Sequence, residues 1–370
     1  MRGRGFPDPS TPLAGARRIL LARLDNIGDV ILLSPAVNGL RQALPEAELT
    51  LLTSPAGAAG AVLLPAIDRV VAHRASWQQL NPGSVSPDTE RELIDRLRTE
   101  DFDAAIVFTS FAQSALPPAY LCYLAGIPTR AAYASRGFSG EVITHPVDPT
   151  DAPEHQAERA AHLLESLGIE VSDDALSIEL PVSASEEAAR LLRAAGIGDG
   201  PFVALVPGAS APARRYRHAR FARVARRLAE SMPVLVLGDD REAAMAGELE
   251  ADAGALSVVS LAGRTSLPLM AALVQRARLV VGNNSLALHL ADALRTPVVA
   301  TYAGTDPHAY WTPRDTPCRL LTAAAPCAPC FRIECDRGHE CLDLAPEDVV
   351  RAAIDLLEPA AAGPPERGSW

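Results

Sequence analysis

Short apolar runs alternate with stretches of helical spacing along the first half of the chain. "RRILLAR", "AELTLLTS" and "FDAAIVFTS" are runs of the kind that form buried strands. Between the first two, "VILLSPAVNGLRQALP" has apolar residues at helical spacing and predicts one helix that stops before Pro45. Alternation of strands and helices is typical of a mostly parallel sheet. The pattern therefore predicts an α/β fold.

The same rhythm restarts in the second half with "FVALVPGAS", after a linker near residues 168–182. "PVLVLG", "RLVVGN" and "TPVVATYAG" are further strands separated by helices, and "APEDVVRAAIDLL" predicts a last helix. Two such halves predict two Rossmann-like, doubly wound domains that face each other across a cleft. We expect an N-terminal tail at 1–17, a first domain at 18–175, a second domain at 176–345, and a C-terminal helix and tail at 346–370.

Composition narrows the classes of function. The formal net charge of −11 argues against a nucleic-acid or anionic-membrane binder, because such proteins need a basic face. No apolar run is long enough to span a bilayer and the N-terminus has no signal-like segment, so we expect a cytoplasmic protein with peripheral membrane association at most. All 34 basic residues are Arg, so any basic side chain that contacts phosphate must be an arginine.

Two carboxylates lie where the first strand gives way to the first helix. In "RLDNIGDV", Asp25, Asn26, Gly28 and Asp29 follow the strand directly. This is the carboxyl edge of the sheet, where open α/β sheets bind ligands. A carboxylate there has the chemistry of a general base, but a cap of the following helix also explains Asp29.

Four polar stretches follow predicted strands in the second half. "PGASAPARRY" offers backbone N–H groups and Arg214 to a diphosphate, or is a surface loop with solvated arginines. The acids of "GDDRE" stabilise a helix start or accept a bond from a ribose hydroxyl. "VGNNSLALHL" places Ser285 as an N-cap and His289 one turn on, although a lone His is more often a packed polar residue. "YAGTDPHAYWTP" is explained by turn formation or by its place at the sheet edge.

A cysteine cluster lies near the C-terminus. Cys327, Cys330, Cys335 and Cys341, with His339 between the last two, have the ligand types of a structural zinc site. The cluster has one C-x2-C pair where a zinc ribbon has two. A reduced loop and a disulfide-linked loop are the alternatives.

These motifs together resemble glycosyltransferase family 9, the ADP-heptose:lipopolysaccharide heptosyltransferases. The similar segments run in the family's order from about residue 18 to 358. They are "RLDNIGDVILLSPAVNGLRQALP", "VPGASAPARRY", "LAGRTSLPLMAALVQRARLVVGNNSLALHLADALRTPVVATYAGTDP" and "CAPCFRIECDRGHECLDLAPEDV". The resemblance implies the GT-B fold and a catalysis that requires no metal or other cofactor.

The resemblance also implies roles for individual residues. Asp29 matches the family's catalytic aspartate, while Asp25 and Asn26 shape the turn or touch the acceptor. Ser210 and Arg214 match a hydroxyl residue and a Lys that contact the donor phosphates, and Glu242 matches the acid near the donor nucleoside. The predicted donor-binding residues are Gly208, Ser210, Arg214, Glu242, Thr265, Asn284, Ser285, Leu286 and His289.

One segment departs from the family's usual D-[ST]-G-x-x-H, because Asn284 replaces Asp and Leu286 replaces Gly. The first change removes a charge, and the second narrows the approach of the backbone to a diphosphate. We predict inverting, metal-independent transfer of a sugar from a nucleotide-diphosphate sugar, with ADP-heptose as the expected donor. The expected acceptor is a hydroxyl of a glycan, lipopolysaccharide core or secondary metabolite. The alternatives are a sugar-nucleotide epimerase on the same fold and a non-catalytic relative that binds sugar nucleotides.

Overall fold

The computed structural model describes residues 11–78, 86–111, 113–135, 140–243 and 257–358. Its contacts divide the chain into two units, one ending at Glu179 and the other beginning at Leu180. Each unit contains a six-stranded sheet in which every described pair of strands is parallel. The predicted α/β class is therefore confirmed.

The first unit has the strand order β3-β2-β1-β4-β5-β6. Its strands are β1 Arg18–Arg23, β2 Glu48–Thr53, β3 Arg69–Ala72, β4 Ala104–Val107, β5 Thr129–Tyr133 and β6 His145–Val147. Its described helices are α1 Ile27–Ile31, α2 Ser34–Ala43, α3 Pro55–Ala61, α4 Pro87–Thr99, α5 Leu116–Leu124 and α6 Gln156–Glu165.

The second unit has the strand order β12-β11-β10-β7-β8-β9. Its strands are β7 Val203–Val206, β8 Val234–Val236, β9 Val258–Ser260, β10 Leu279–Asn283, β11 Val298–Thr301 and β12 Cys318–Leu321. Its described helices are α7 Val182–Ala194, α8 His218–Ala229, α9 Leu267–Arg276, α10 Leu286–Ala293 and α11 Pro346–Leu357.

In both sheets the direction of the strand order reverses between the two central strands. In each unit the first strand lies between the second and the fourth, so β1 pairs with β4 and β7 pairs with β10. The loops on either side of such a switch point leave the sheet in opposite directions and open a crevice at the carboxyl ends of the strands. The two crevices are therefore the first places to look for ligand chemistry.

The central strands are buried on both faces, as parallel strands covered by helices must be. In β1, Ile19 and Leu21 join the core on one side of the sheet, while Leu20 and Ala22 join the core on the other. This double burial explains why the strand reads as a continuous apolar run. It also leaves polar groups of the sheet to its ends and edges.

The helix predicted before Pro45 is two helices. α1 ends at Ile31 and α2 begins at Ser34 with Pro35 in its first turn. Proline has no N–H to donate to the carbonyl four residues earlier, so the chain restarts the helix there. The prediction of one continuous helix was wrong.

Five elements of the structure were not predicted from the sequence. α3, α7, β6, β9 and β12 were absent from the sequence interpretation. α7 begins at Val182, where the predicted linker ends. No helix among the described residues is long and apolar enough to cross a membrane.

The chain enters the first core before β1. Residues 1–10 of the predicted N-terminal tail and residues 359–370 of the C-terminal tail lie outside the described residues. Leu13, within the predicted tail, is fully buried in the first core together with Leu163 and Leu164 of α6. Residues 11–17 thus contribute to packing.

Leu13→Ala is expected to lower the free energy of unfolding by about 2–5 kcal/mol, the usual cost of a cavity left by a buried leucine. Urea denaturation followed by circular dichroism measures it. Val62→Ala is the control, because Val62 is 62% exposed and should change stability by less than about 0.5 kcal/mol. Equal effects of the two substitutions would contradict the burial of Leu13.

Candidate active site

The start of α1 fixes the Asp29 carboxylate of the β1–α1 turn. Asn26 is the N-cap of α1, and its backbone N–H donates to Oδ2 of Asp29 at 3.2 Å. This is half of a capping box, in which the third helical residue reaches back to the cap. The cap explanation of Asp29 therefore applies, and it fixes the direction of this carboxylate.

Arg23, the last residue of β1, holds both carboxylates of the turn. Its Nη2 donates to Oδ1 of Asp29 at 2.9 Å and to the Ser110 hydroxyl at 3.0 Å. Its Nε lies 2.9 Å from Oδ2 of Asp25. Sequence reasoning missed this residue, although a charged residue that ends an otherwise apolar central strand was a signal that could have identified it.

The two carboxylates have different environments. Asp25 is buried and accepts a bond from the Gln113 amide at 2.5 Å, and burial raises its pKa while Arg23 opposes that rise. The Asp29 side chain is 17% exposed, against 8% for Asp25. Asp29 is thus the more accessible of the two to a reacting hydroxyl. Acceptor contact by Asp25 and Asn26 stays a prediction.

At the second switch point, Asn283 ties the β7 loop to the end of β10. Its amide donates to the Pro207 carbonyl at 2.6 Å, and its Oδ1 accepts from the Tyr216 N–H at 3.0 Å and the Thr301 hydroxyl at 2.9 Å. The side chain is fully buried. Sequence reasoning missed Asn283 too, since a buried amide in this place gives no motif.

The neighbouring residues of the β10–α10 turn also bond to adjacent loops. The Ser285 hydroxyl donates to the Gly208 carbonyl at 3.1 Å, and Oδ1 of Asn284 accepts from the Ala303 N–H at 3.1 Å. Ser285 is the N-cap residue of α10, as predicted, but its side chain does not cap the helix. The serine instead fastens the helix start to the β7 loop.

Glu242 is packed against the same β7 loop. A Cβ placed on Gly208 would lie 2.8 Å from Cδ of Glu242, so a larger residue at 208 would require the Glu242 side chain to move. The Glu242 carboxylate accepts a bond from the Asp239 N–H at 3.0 Å. Burial raises the pKa of Glu242, with the neighbouring Asp239 adding to that rise. The structure thus brings together the predicted residues Gly208, Ser285 and Glu242.

Arg214 is held by the loop that follows β11. Its Nε donates to the Thr305 hydroxyl at 3.1 Å and its Nη2 to Oδ2 of Asp306 at 2.6 Å. Nη1 bonds to no group among the described residues, and the side chain is 27% exposed. Ser210, in the same loop, is exposed. The guanidinium is therefore fixed in place with one nitrogen left for a ligand.

The remaining predicted donor-binding residues are buried or half-buried. Leu286 is the first residue of α10 and is half-buried, and His289 is buried with its ring 5.8 Å from that of Trp311. Thr265 precedes the Ser266 cap of α9, and its hydroxyl is buried without a partner in the described part of the chain.

The cysteine segment, residues 327–341, packs against the loop that contains Arg214. The Cys330 N–H donates to the Gly304 carbonyl at 3.0 Å, the Phe331 N–H to the Thr305 carbonyl at 2.8 Å, and the Ala213 N–H to the Ile333 carbonyl at 2.9 Å. These backbone bonds connect the segment to both loops that hold Arg214. The segment therefore braces the predicted phosphate site.

The thiols of this segment are not gathered around one metal position in the structure. All six cysteines of the chain are free. Across the described ranges no group of three or more His, Cys, Asp and Glu side chains is placed to hold a metal ion. Burial raises the pKa of the Cys341 thiol. Zinc at this segment stays a prediction, which metal analysis of the purified protein tests.

Two sets of polar groups therefore stand at the two switch points. In the first unit, Arg23, Asp25 and Asp29 meet Ser110 and Gln113. In the second unit, the β7 loop meets the β10 turn, Glu242 and the loop after β11. The first set has the groups for proton transfer, and the second has N–H groups and a guanidinium for an anion.

Comparison with known proteins shows what the chain as a whole is similar to. Lipopolysaccharide heptosyltransferase 3 of Escherichia coli strain K12 is 26% identical over 350 residues, which cover 92% of this chain and 98% of that protein. A glycosyl transferase family 9 structure from Veillonella parvula covers 92% of this chain and 97% of its own, with a TM-score of 0.76 and 21% identity.

A second solved structure is the ADP-heptose lipopolysaccharide heptosyltransferase II of E. coli. It covers 92% of this chain and 98% of its own, with a TM-score of 0.69 and 20% identity. These similarities confirm the predicted GT-B fold. The sequence model of "Glycosyltransferase family 9 (heptosyltransferase)" matches residues 90–340, more than half of the chain. The chain belongs to glycosyltransferase family 9.

Proposed function

We propose that the protein transfers heptose from ADP-heptose to a hydroxyl of a lipopolysaccharide core or related glycan, with inversion at the anomeric carbon. The observation that carries this proposal is the partly exposed Asp29 carboxylate, fixed by Arg23 and the Asn26 N–H at the switch point of the first unit. Such a carboxylate is oriented before any acceptor arrives. It is suited to general base catalysis.

The donor diphosphate is assigned to the second unit. There the Arg214 guanidinium keeps one nitrogen for an anion, and the start of α10 and the β7 loop meet at the crevice. The names of the relatives support the chemistry of the donor and acceptor, because they are heptosyltransferases of lipopolysaccharide and one is named for ADP-heptose. Membership of the family by itself supports glycosyltransferase activity and does not identify the donor or the acceptor.

The reaction is a single displacement. The acceptor oxygen attacks the anomeric carbon while its proton passes to Asp29, and the bond from that carbon to the phosphate oxygen breaks. ADP leaves with the electron pair of that bond. Arg214 balances the charge that grows on the phosphates. These roles need no metal ion, so a chelator is expected to leave turnover unchanged.

Asp29→Asn is expected to lower kcat by about 10²–10⁴-fold, because the amide cannot accept the proton of the acceptor. The donor Kd should change little, since its phosphates are assigned to the other unit. Asp68→Asn is the matched control, because Asp68 also pairs with an arginine and accepts a backbone N–H. A folded Asp29→Asn enzyme that keeps more than about a tenth of wild-type turnover would remove Asp29 from the role of base.

Arg23→Met is expected to lower kcat by about 10²-fold with the donor KM unchanged, because the substitution releases the fixed carboxylate of Asp29. Arg23→Lys keeps a charge that reaches one carboxylate and should recover part of the loss. Steady-state kinetics of both variants, checked by thermal melts, measure this. If Lys and Met behave alike, or if kcat and the donor KM change together, the positioning role is wrong.

Arg214→Ala is expected to weaken ADP binding by about 1.5–3 kcal/mol, the usual contribution of a charged hydrogen bond. Isothermal titration with ADP, GDP and UDP measures this and should show preference for ADP. Arg217→Ala is the control, because Arg217 is exposed on the same segment. Unchanged ADP affinity of Arg214→Ala would place the diphosphate elsewhere. Conversion of the donor to an epimer without an acceptor would favour the epimerase alternative.

A further inference from the structure

Helix α5 is apolar on both of its faces. Its nine residues, "LPPAYLCYL", contain no charged side chain. Pro118, Ala119, Leu121 and Cys122 are buried, and the last three of these pack in the core beneath the helix. A helix that is apolar all round is normally covered on every side. α5 instead lies at the surface of the first unit.

The solvent side of α5 forms one continuous patch. Leu116, Tyr120, Tyr123 and Leu124 are between 38% and 50% exposed, and their spacing places them on a single face, here called the α5 face. The rings of Tyr120 and Tyr123 stack with centroids 6.0 Å apart. These four are among ten exposed large hydrophobic residues in the described part of the chain, so the exposure is concentrated here. A contiguous patch marks an interaction surface, whereas scattered residues do not.

The α5 face begins beside the candidate reaction site. The loop before the helix carries Ser110, which accepts from Arg23, and Gln113, which donates to Asp25. Phe111, between them, is also exposed, and the helix starts three residues after Gln113. A surface that covered α5 would therefore adjoin the edge of the sheet where the acceptor hydroxyl has to arrive.

A second copy of the chain is a poor occupant for this face. A helix of nine residues is about 14 Å long and ~10 Å wide. Its exposed side is therefore far smaller than the ~800 Å² per partner that a stable protein interface buries. A lipid interface needs no such area, because a few apolar side chains can insert on their own.

The charges around the patch indicate what kind of lipid interface it fits. Arg98 donates to the Leu124 carbonyl at 3.1 Å and pairs with Asp95 at 2.5 Å, so this basic residue at the rim is already neutralised. The net charge of −11 opposes attraction to an anionic surface. Tyrosine and leucine side chains are the groups that favour the boundary between headgroups and acyl chains.

From these observations we infer that the α5 face docks on a membrane and inserts its tyrosines and leucines at the lipid interface that carries the acceptor. The apolar side chains supply the attraction, and charge does not. The inference rests on the proposed function, because an acceptor anchored in lipid would explain why the docking surface lies next to Asp29. Binding to vesicles is measured without turnover, so it can fail independently of the proposed function.

Flotation of the full chain with phosphatidylcholine vesicles tests the inference directly. The wild-type protein should float with the vesicles, and added NaCl should not release it. The triple variant Leu116→Gln, Tyr120→Gln and Tyr123→Gln should bind at least about tenfold more weakly, because three apolar side chains no longer insert. Tyr120→Trp should bind more tightly, since tryptophan favours the interface. Val62→Gln, at another exposed apolar residue, is the matched control and should bind as the wild type does.

Activity on two acceptors separates docking from chemistry. The triple variant should glycosylate water-soluble, deacylated lipopolysaccharide core normally, and should lose activity on the same core embedded in vesicles. Asp29→Asn should float normally and fail with both acceptors. Equal flotation of wild type and triple variant, release by salt, or absence of wild-type binding would overturn the inference. So would self-association in sedimentation experiments that only the triple variant abolishes, because the face would then bind a second copy.

Discussion

A parallel sheet with helices on both faces leaves its polar chemistry to the ends of its strands. In β1 the alternating residues enter two different cores, so no side chain in the middle of the strand can carry charge to solvent. The same constraint holds for β7 and β10, whose residues are all buried. Every group assigned a role in the reaction therefore lies in a loop, a helix start or the last residue of a strand.

At the first switch point this constraint brings charges together that must compensate one another. Asp25 and Asp29 stand beside a single guanidinium, and Arg23 is almost fully buried. Burial makes an unpaired charge costly, so the three groups depend on each other. Asp29 is the more exposed of the two carboxylates, so solvent and substrate reach it more readily. This difference in exposure separates the two aspartates.

The sequence predicted the order of the main strands and helices well because hydrophobic periodicity reflects which residues are buried. The strands β1, β2, β4, β7, β8, β10 and β11 are buried along most of their length, and they were predicted. β6 and β12 are only partly buried and β9 has one buried residue, so their patterns were too mixed to predict strands. The break between α1 and α2 was missed because Pro35 stands inside an otherwise continuous helical pattern.

The candidate site was predictable only in part. Asp29, Ser210 and Arg214 lie in segments that resemble a family, so their positions could be named from the sequence. Arg23 and Asn283 act through contacts with residues far along the chain, and nothing in their own neighbourhood shows those partners. The sequence also could not show that the Ser285 hydroxyl bonds to Gly208, because capping and loop fastening need the same residue type.

The bracing of the Arg214 loop also sets the order in which the two halves of the protein can be completed during synthesis. The bonds described for Arg23, Asp25 and Asp29 lie within the first unit, so that set can form once the ribosome has released about half of the chain. The Arg214 loop cannot form its contacts until Thr305, Asp306 and Ile333 have been synthesised. The core of the second sheet also needs α11, which lies close to the C-terminus. A chain that stops short of these residues would hold its carboxylates in place and still lack a finished nucleotide site.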